Sequence, residues 1–254
     1  MPTKNKKPAG ALLIGIHSVA SALRQRPGQL IEILTTSETK NPRVIELIDE
    51  AKSQGLKLSQ HSRTHLDRLA DDNRHQDIIA WFDANNVFSE KQLAQVLDNA
   101  GPAPLILILD GVQDPHNLGA CLRTAEAAGV AAVIYPKDKS SGLTPVARRA
   151  AAGAAELIPL IEVTNLARVL RQLKDRGIWL AGTSDNASTD IYSVDLKGGL
   201  GIVMGSEGRG MRRLTEELCD FTFSLPMQGS VSSLNVSVAT GVCLFEALRQ
   251  RGQA

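Results

Sequence analysis

The 254-residue chain carries 28 Lys+Arg against 27 Asp+Glu and is 43% apolar, which allows one large domain or two of ordinary size. No apolar run reaches the ~18 residues of a membrane span, and three scattered cysteines (Cys121, Cys219, Cys243) without a C-x-x-C pair suggest neither a disulfide framework nor a metal site. Charge is even in both parts, 13 against 12 over residues 1–100 and 15 against 15 over the rest, so composition announces no nucleic-acid-binding domain.

The start, MPTKNKKPAG (1–10), reads as a flexible basic tail without the apolar stretch of a secretory signal; a cytoplasmic protein is expected. Over 11–88 the pattern alternates. Leu30–Thr36 reads as a strand, Pro42–Gly55 as an amphipathic helix and Leu56–Gln60 as another strand. Pro42 suits the first helical turn, and Gly55 suits the position just past the last. This is a small α/β module. A polar stretch over 89–103, ending in Gly-Pro-Ala-Pro, reads as a linker, because prolines stop a helix and stiffen a connection.

From residue 104 a second α/β series begins. Apolar strand candidates are Leu105–Asp110, Ala131–Tyr135, Glu156–Ile161, Gly177–Thr183, Leu200–Gly205 and Phe221–Pro226, with helical stretches such as Val163–Gly177 between them. Continuous apolar strands separated by helices imply a parallel sheet covered on both faces. Ligands bind such sheets beyond the carboxyl ends of the strands, which directs attention to the turns after Asp110, Gly205 and Leu225.

The first turn leads into a helix capped by Asp114, opened by Pro115 and ended by Gly129. Leu118, Cys121, Leu122 and Ala125 form its apolar stripe; His116, Gly119, Ala120 and Arg123 lie on the opposite edge, with small residues giving access to the guanidinium. Asn117 and Arg123 are six positions apart, about 240° on an ideal helix. Either Asn117 belongs to the loop end or the two serve different surfaces. The second turn, Gly205-Ser-Glu-Gly-Arg-Gly210, has the glycine spacing of neither dinucleotide nor phosphate loops. Its carboxylate, Glu207, is placed to accept hydrogen bonds. The third turn crowds Gln228, Ser230, Ser232, Ser233 and Asn235 before a small-residue helix, more polar groups than one helix cap requires. His61 and His65 have helical i,i+4 spacing but no evident third ligand, so no metal is expected. Arg148–Arg149 and Arg209–Arg212–Arg213 are local basic clusters.

Taken in order, these three stretches resemble the three motifs of the SpoU, or TrmH, family of RNA ribose methyltransferases. The Asn117–Arg123 block resembles the first motif, Met204–Met211 the second and Leu225–Gly241 the third. Gly15-Ile16-His17 and the module after it are similar to the RNA-binding domain of the branch that methylates a guanosine ribose in the peptidyl-transferase region of bacterial 23S rRNA. The resemblance implies a C-terminal SPOUT α/β domain over 104–254 with a trefoil knot, an L30e-like α/β RNA-binding domain over 11–88, and a homodimer. It implies S-adenosylmethionine as methyl donor, contacted by Gly205, Leu225, Leu234 and Thr183. Arg123, Asn117, Glu207, Ser233 and Asn235 become the expected catalytic residues, and 23S rRNA or the assembling large ribosomal subunit the partner. A tRNA ribose methyltransferase on the same scaffold, or a non-catalytic rRNA-binding assembly protein, are the alternatives. A nucleotide-binding oxidoreductase fails on the glycine spacing.

Overall fold

The computed structural model describes residues 10–25, 27–71, 74–83 and 87–252; the basic tail expected over 1–10 lies outside them except for Gly10. The chain divides into two units, Met1–Asn85 and Asn86–Ala254.

The first unit runs β1 (Ala11–Ile14), α1 (Ile16–Gln25), β2 (Leu30–Thr36), α2 (Pro42–Ser53), β3 (Leu58–His61), α3 (Arg63–Ala70) and β4 (Ile78–Phe82). Its strands form a mixed sheet in the order β1-β4-β2-β3, with only β2 and β3 parallel. Helix α2 starts where the Asn41 side chain accepts a hydrogen bond from Arg43 N (3.1 Å) with Pro42 in the first turn, and it buries Val44, Leu47 and Ala51. Gly55 follows at φ 70°, a conformation glycine adopts without strain. His61 ends β3 whereas His65 lies in α3, so their spacing is not helical; their rings stack at 4.7 Å.

The second unit contains β5 (Val87–Ser89), α4 (Leu93–Asn99), β6 (Leu105–Asp110), α5 (Pro115–Ala127), β7 (Ala132–Pro136), α6 (Pro145–Ala151), α7 (Ala154–Leu157), β8 (Leu160–Val163), α8 (Leu166–Asp175), β9 (Trp179–Thr183), β10 (Leu200–Gly205), α9 (Arg213–Leu218), β11 (Phe221–Phe223) and α10 (Val236–Gly252). The described strands make a seven-stranded, wholly parallel sheet in the order β11-β9-β10-β6-β7-β8-β5.

The unbroken apolar run of β6 follows from its central place. Leu105, Leu107 and Leu109 pack in one core with Leu118, Cys121 and Leu122 of α5 and Cys243, Leu244 and Ala247 of α10. Ile106 and Ile108 pack in the other with Leu97 of α4 and Val169, Leu170 and Leu173 of α8. Side chains alternate across a strand, so a strand covered on both faces must be apolar throughout. Burial pushes the Cys121 thiol up to about 11 and that of Cys243 to about 12, which leaves both as inert packing groups.

Two further sequence expectations change. The segment Glu156–Ile161 is not one strand: Glu156 and Leu157 belong to the short helix α7, and β8 begins only at Leu160. Pro159 disfavours helical backbone at the residue before it, and Ile158 is extended at ψ 136°. The stretch after Ser89, expected as a linker, carries a 3-10 turn and α4, and buries Leu93 and Leu97 in the second core. No described helix is long and apolar enough to cross a membrane.

Candidate active site

Three loops meet at the carboxyl end of the sheet. After β10 the chain makes a tight turn in which Ser206 N donates to Gly210 O (2.9 Å) and Gly210 N to Ser206 O (3.0 Å). Gly208 and Gly210 have φ of 74° and 66°, the left-handed region that favours glycine. The turn folds back so closely that a Cβ on Gly205 would run into the backbone of Gly210 and Met211. Glycine at 205 is therefore a packing requirement of the loop.

The turn walls a cavity of about 370 Å³, closed on its other sides by Thr183–Asn186, by Phe223–Leu225 with Met227, and by Ser232–Leu234. All four expected donor residues, Gly205, Leu225, Leu234 and Thr183, line it, and so do Ser233 and Glu207. Thr183 Oγ1 donates to Val203 O (3.1 Å), so its hydroxyl ties β9 to β10. The walls mix apolar side chains and hydroxyl groups with the charged Asp185, Glu207, Arg209 and Glu216, which suits a ligand with an apolar part and several polar positions.

Beside the cavity three side chains from distant segments form a network. Asn117 Nδ2 donates to Glu207 Oε1 (2.9 Å), and Asn235 Nδ2 donates both to Glu207 Oε1 (2.6 Å) and to Asn117 Oδ1 (3.0 Å). Asn235 Oδ1 in turn accepts from Ser237 N (2.9 Å) and Ser237 Oγ (2.6 Å), so it caps α10. The cap fixes the amide orientation and aims its nitrogen at the carboxylate. Glu207 Oε1 receives two donors; no partner for Oε2 is found among the described residues. Asn117 is buried in the first turn of α5, where Asp114 Oδ1 accepts from His116 N (2.8 Å). Capping α10 thus falls to Asn235, and Ser232 and Ser233 are left to the cavity wall.

Arg123 does not join this network. It is exposed and has no hydrogen bond or ion pair to Asn117, Glu207 or Asn235, as the 240° offset requires. Gly119, expected to give access to Arg123, is instead covered by α6: a Cβ there would collide with Ala147 O and Ala150. Of the basic clusters, Arg148 is engaged by the buried Glu156 and Arg213 by Glu217. Among the described residues no group of His, Cys, Asp and Glu gathers as a metal site. Sequence reasoning placed Arg212 in a basic cluster but missed its pairing with Asp110 behind the same turn: Arg212 N donates to Asp110 Oδ2 (2.8 Å). The aspartate ending an otherwise apolar strand was the available signal.

A family model described as SpoU rRNA Methylase family matches residues 104–245, and one described as RNA 2′-O ribose methyltransferase substrate binding matches residues 12–88. The chain belongs to the SpoU rRNA Methylase family. Among its SpoU relatives are proteins named 23S rRNA (guanosine-2′-O-)-methyltransferase RlmB. That of Shewanella oneidensis is 50% identical over 94% of this chain and 97% of the relative. That of Haemophilus influenzae is 53% identical over the same shares. The SpoU methyltransferase AviRb from Streptomyces viridochromogenes, solved in complex with the cofactor AdoMet, shares the fold at TM-score 0.72. It has 23% identity, with 96% of this chain and 91% of that one covered.

Proposed function

We propose that the chain transfers the methyl group of S-adenosylmethionine to the 2′-hydroxyl of a guanosine in the peptidyl-transferase region of 23S rRNA. The observation that carries this reading is one loop, Ser206–Met211, that walls the donor-sized cavity and presents Glu207 to Asn117 and Asn235. Relatives about half identical along nearly the whole chain are named as 23S rRNA guanosine-2′-O-methyltransferases.

The bound donor supplies an activated methyl on a sulfonium, so the protein's task is in-line positioning and handling of one proton. Gly205, Leu225 and Leu234 hold the donor, with Thr183 at the strand end. Glu207 Oε2, its partner oxygen held by two amides, is oriented to accept the ribose hydroxyl. Arg123 acts as a clamp on the forming alkoxide and on the phosphate to the 5′ side of the ribose, because a guanidinium does not deprotonate in proteins. Ser233 shapes the wall.

Arg123 reaches a site through a homodimer, in which one protomer's Arg123 serves the other's cavity. In support, α10 exposes Val238, Phe245 and Leu248 at 54%, 49% and 40%, an apolar stripe left open by the described residues. A trefoil knot belongs to the same reading of this family member, and the path of the chain from β11 to α10 is where it would lie. That path leaves β11 at the sheet edge, yet brings Asn235 to Asn117 and Glu207 beside the central strands. Residues 11–88 act as an L30e-like rRNA-docking domain ahead of the methyltransferase domain over 104–254, and the protein works in the cytoplasm.

Mapping 2′-O-methyl groups across rRNA and tRNA in a deletion strain tests the proposal. Loss of one guanosine mark in 23S rRNA, restored by the wild-type chain but not by Arg123→Ala, is expected. Loss of a tRNA mark with rRNA unchanged overturns it.

A further inference from the structure

A second cavity, of about 620 Å³, lies at the carboxyl ends of β6, β7 and β10, the three central strands named in the sheet order. It shares Ser206, Glu207, Arg209, Gly210, Met211 and Val236 with the donor cavity, so a single loop separates the two. The turns after the three strands converge on Gly111, whose φ is 89°. A Cβ there would meet Lys139 O at 3.5 Å, Arg212 Nη2 at 3.7 Å and Ser206 Cβ at 3.8 Å.

This convergence sets two cations, Arg212 and Lys139, at the cavity, beside Arg209 of the shared loop. Arg212 is held on one edge: its Nε lies 3.4 Å from Asp110 Oδ1, its backbone N donates to Asp110 Oδ2 (2.8 Å), and Nη2 donates to Asp138 O (3.3 Å). No partner for Nη1 is found among the described residues, and the side chain is 44% exposed. Asp110 is wholly buried and its Oδ1 completes no hydrogen bond. Burying a carboxylate is costly, and here its neighbour is the guanidinium it orients. Lys139, on the next turn, is exposed and has no ion-pair partner among the described residues. Of the cavity's other carboxylates, Asp114 caps α5, and Glu207 accepts the two asparagine amides through Oε1, leaving Oε2 for the ribose hydroxyl.

We infer that this second cavity seats a phosphate of the RNA backbone, clamped by Lys139 and Arg212, with Asp110 as the positioning residue for Arg212. The inference rests on the reading of the chain as an RNA 2′-O-methyltransferase, and names where that RNA is gripped. In RNA the 2′-hydroxyl and the 3′-phosphate sit on adjacent ribose carbons. A ribose presented to the shared loop therefore carries its phosphate into the cavity next door. A planar guanidinium with a free edge and a mobile ammonium form a suitable pair for such an oxyanion.

The test uses the full-length protein and a 23S rRNA fragment that the wild type methylates. RNA affinity is measured over a range of salt, and S-adenosylmethionine affinity separately. Lys139→Gln is expected to weaken RNA binding about tenfold and to reduce the slope of log affinity against log salt by about 1, with donor affinity unchanged. Lys139→Arg should restore both. Asp110→Asn should weaken RNA binding in the same direction by loosening Arg212. RNA affinity and salt slope that stay at wild-type values in both Lys139→Gln and Arg212→Gln overturn the clamp while leaving the proposed reaction standing. A wild type that methylates no rRNA removes the reaction and the clamp with it.

Discussion

The donor cavity and the polar network beside it are built in different ways. The cavity is walled by several loop segments, one folded close by glycines, with the charged Asp185, Glu207, Arg209 and Glu216 among its lining. The network is made of three side-chain groups brought from positions 117, 207 and 235, each tied to another. Binding through the shape of a wall tolerates changes that keep that shape, whereas a side-chain network fails when one donor or acceptor is altered. The two regions should therefore respond differently to substitution, although they share one loop.

The largest effect is expected where shape is decisive. Gly205→Val forces side-chain atoms into the Gly210–Met211 backbone, and should abolish donor binding and cost about 1–3 kcal/mol of stability; calorimetry and thermal melts check both. Arg123→Ala should lower the methylation rate by about 10²–10³-fold, read as single-turnover transfer to rRNA, with the fold intact because the residue is exposed. Asn235→Asp preserves the acceptor that caps α10 but sets a second carboxylate against Glu207. It should slow transfer about 10- to 100-fold, and less than that would make the network structural only.

The smallest effect concerns acid stability, away from both regions. Arg249, then Gln250, hydrogen-bond Glu246 and hold its carboxyl down at about 2. Its unfolded value is about 4.3, so its contribution is complete above that pH and is lost as pH falls toward 2. Glu246→Gln should remove that part of the acid sensitivity in melts between pH 5 and 2.

Much of the second unit was legible because its central strands are buried on both faces and so are apolar without interruption. Leu105–Asp110 and Leu200–Gly205 were read to the residue. The short strands β1 and β5 and the helices α3, α4 and α6 were not, since segments of three to eight residues carry little periodicity. Pro159 split an apolar run whose first half is helical. The site was legible in type but not in geometry. The offset between Asn117 and Arg123 follows from helix pitch alone, but only the folded chain shows that Asn117 meets Glu207 and Asn235. Nor could spacing reveal that Asn235 caps α10 with its oxygen and serves Glu207 with its nitrogen. Asp110 and Arg212 are 102 positions apart, and no local pattern joins them.

The division between a loop-walled donor cavity and a side-chain reaction centre is tested most directly by a crossed pair of variants, with donor affinity and single-turnover methyl transfer measured in each. Leu234→Arg, which fills the cavity, should lose donor binding and with it transfer; Arg123→Ala should bind the donor as the wild type does and fail to transfer. Loss of donor binding in Arg123→Ala would contradict the division and move that arginine into the donor cavity.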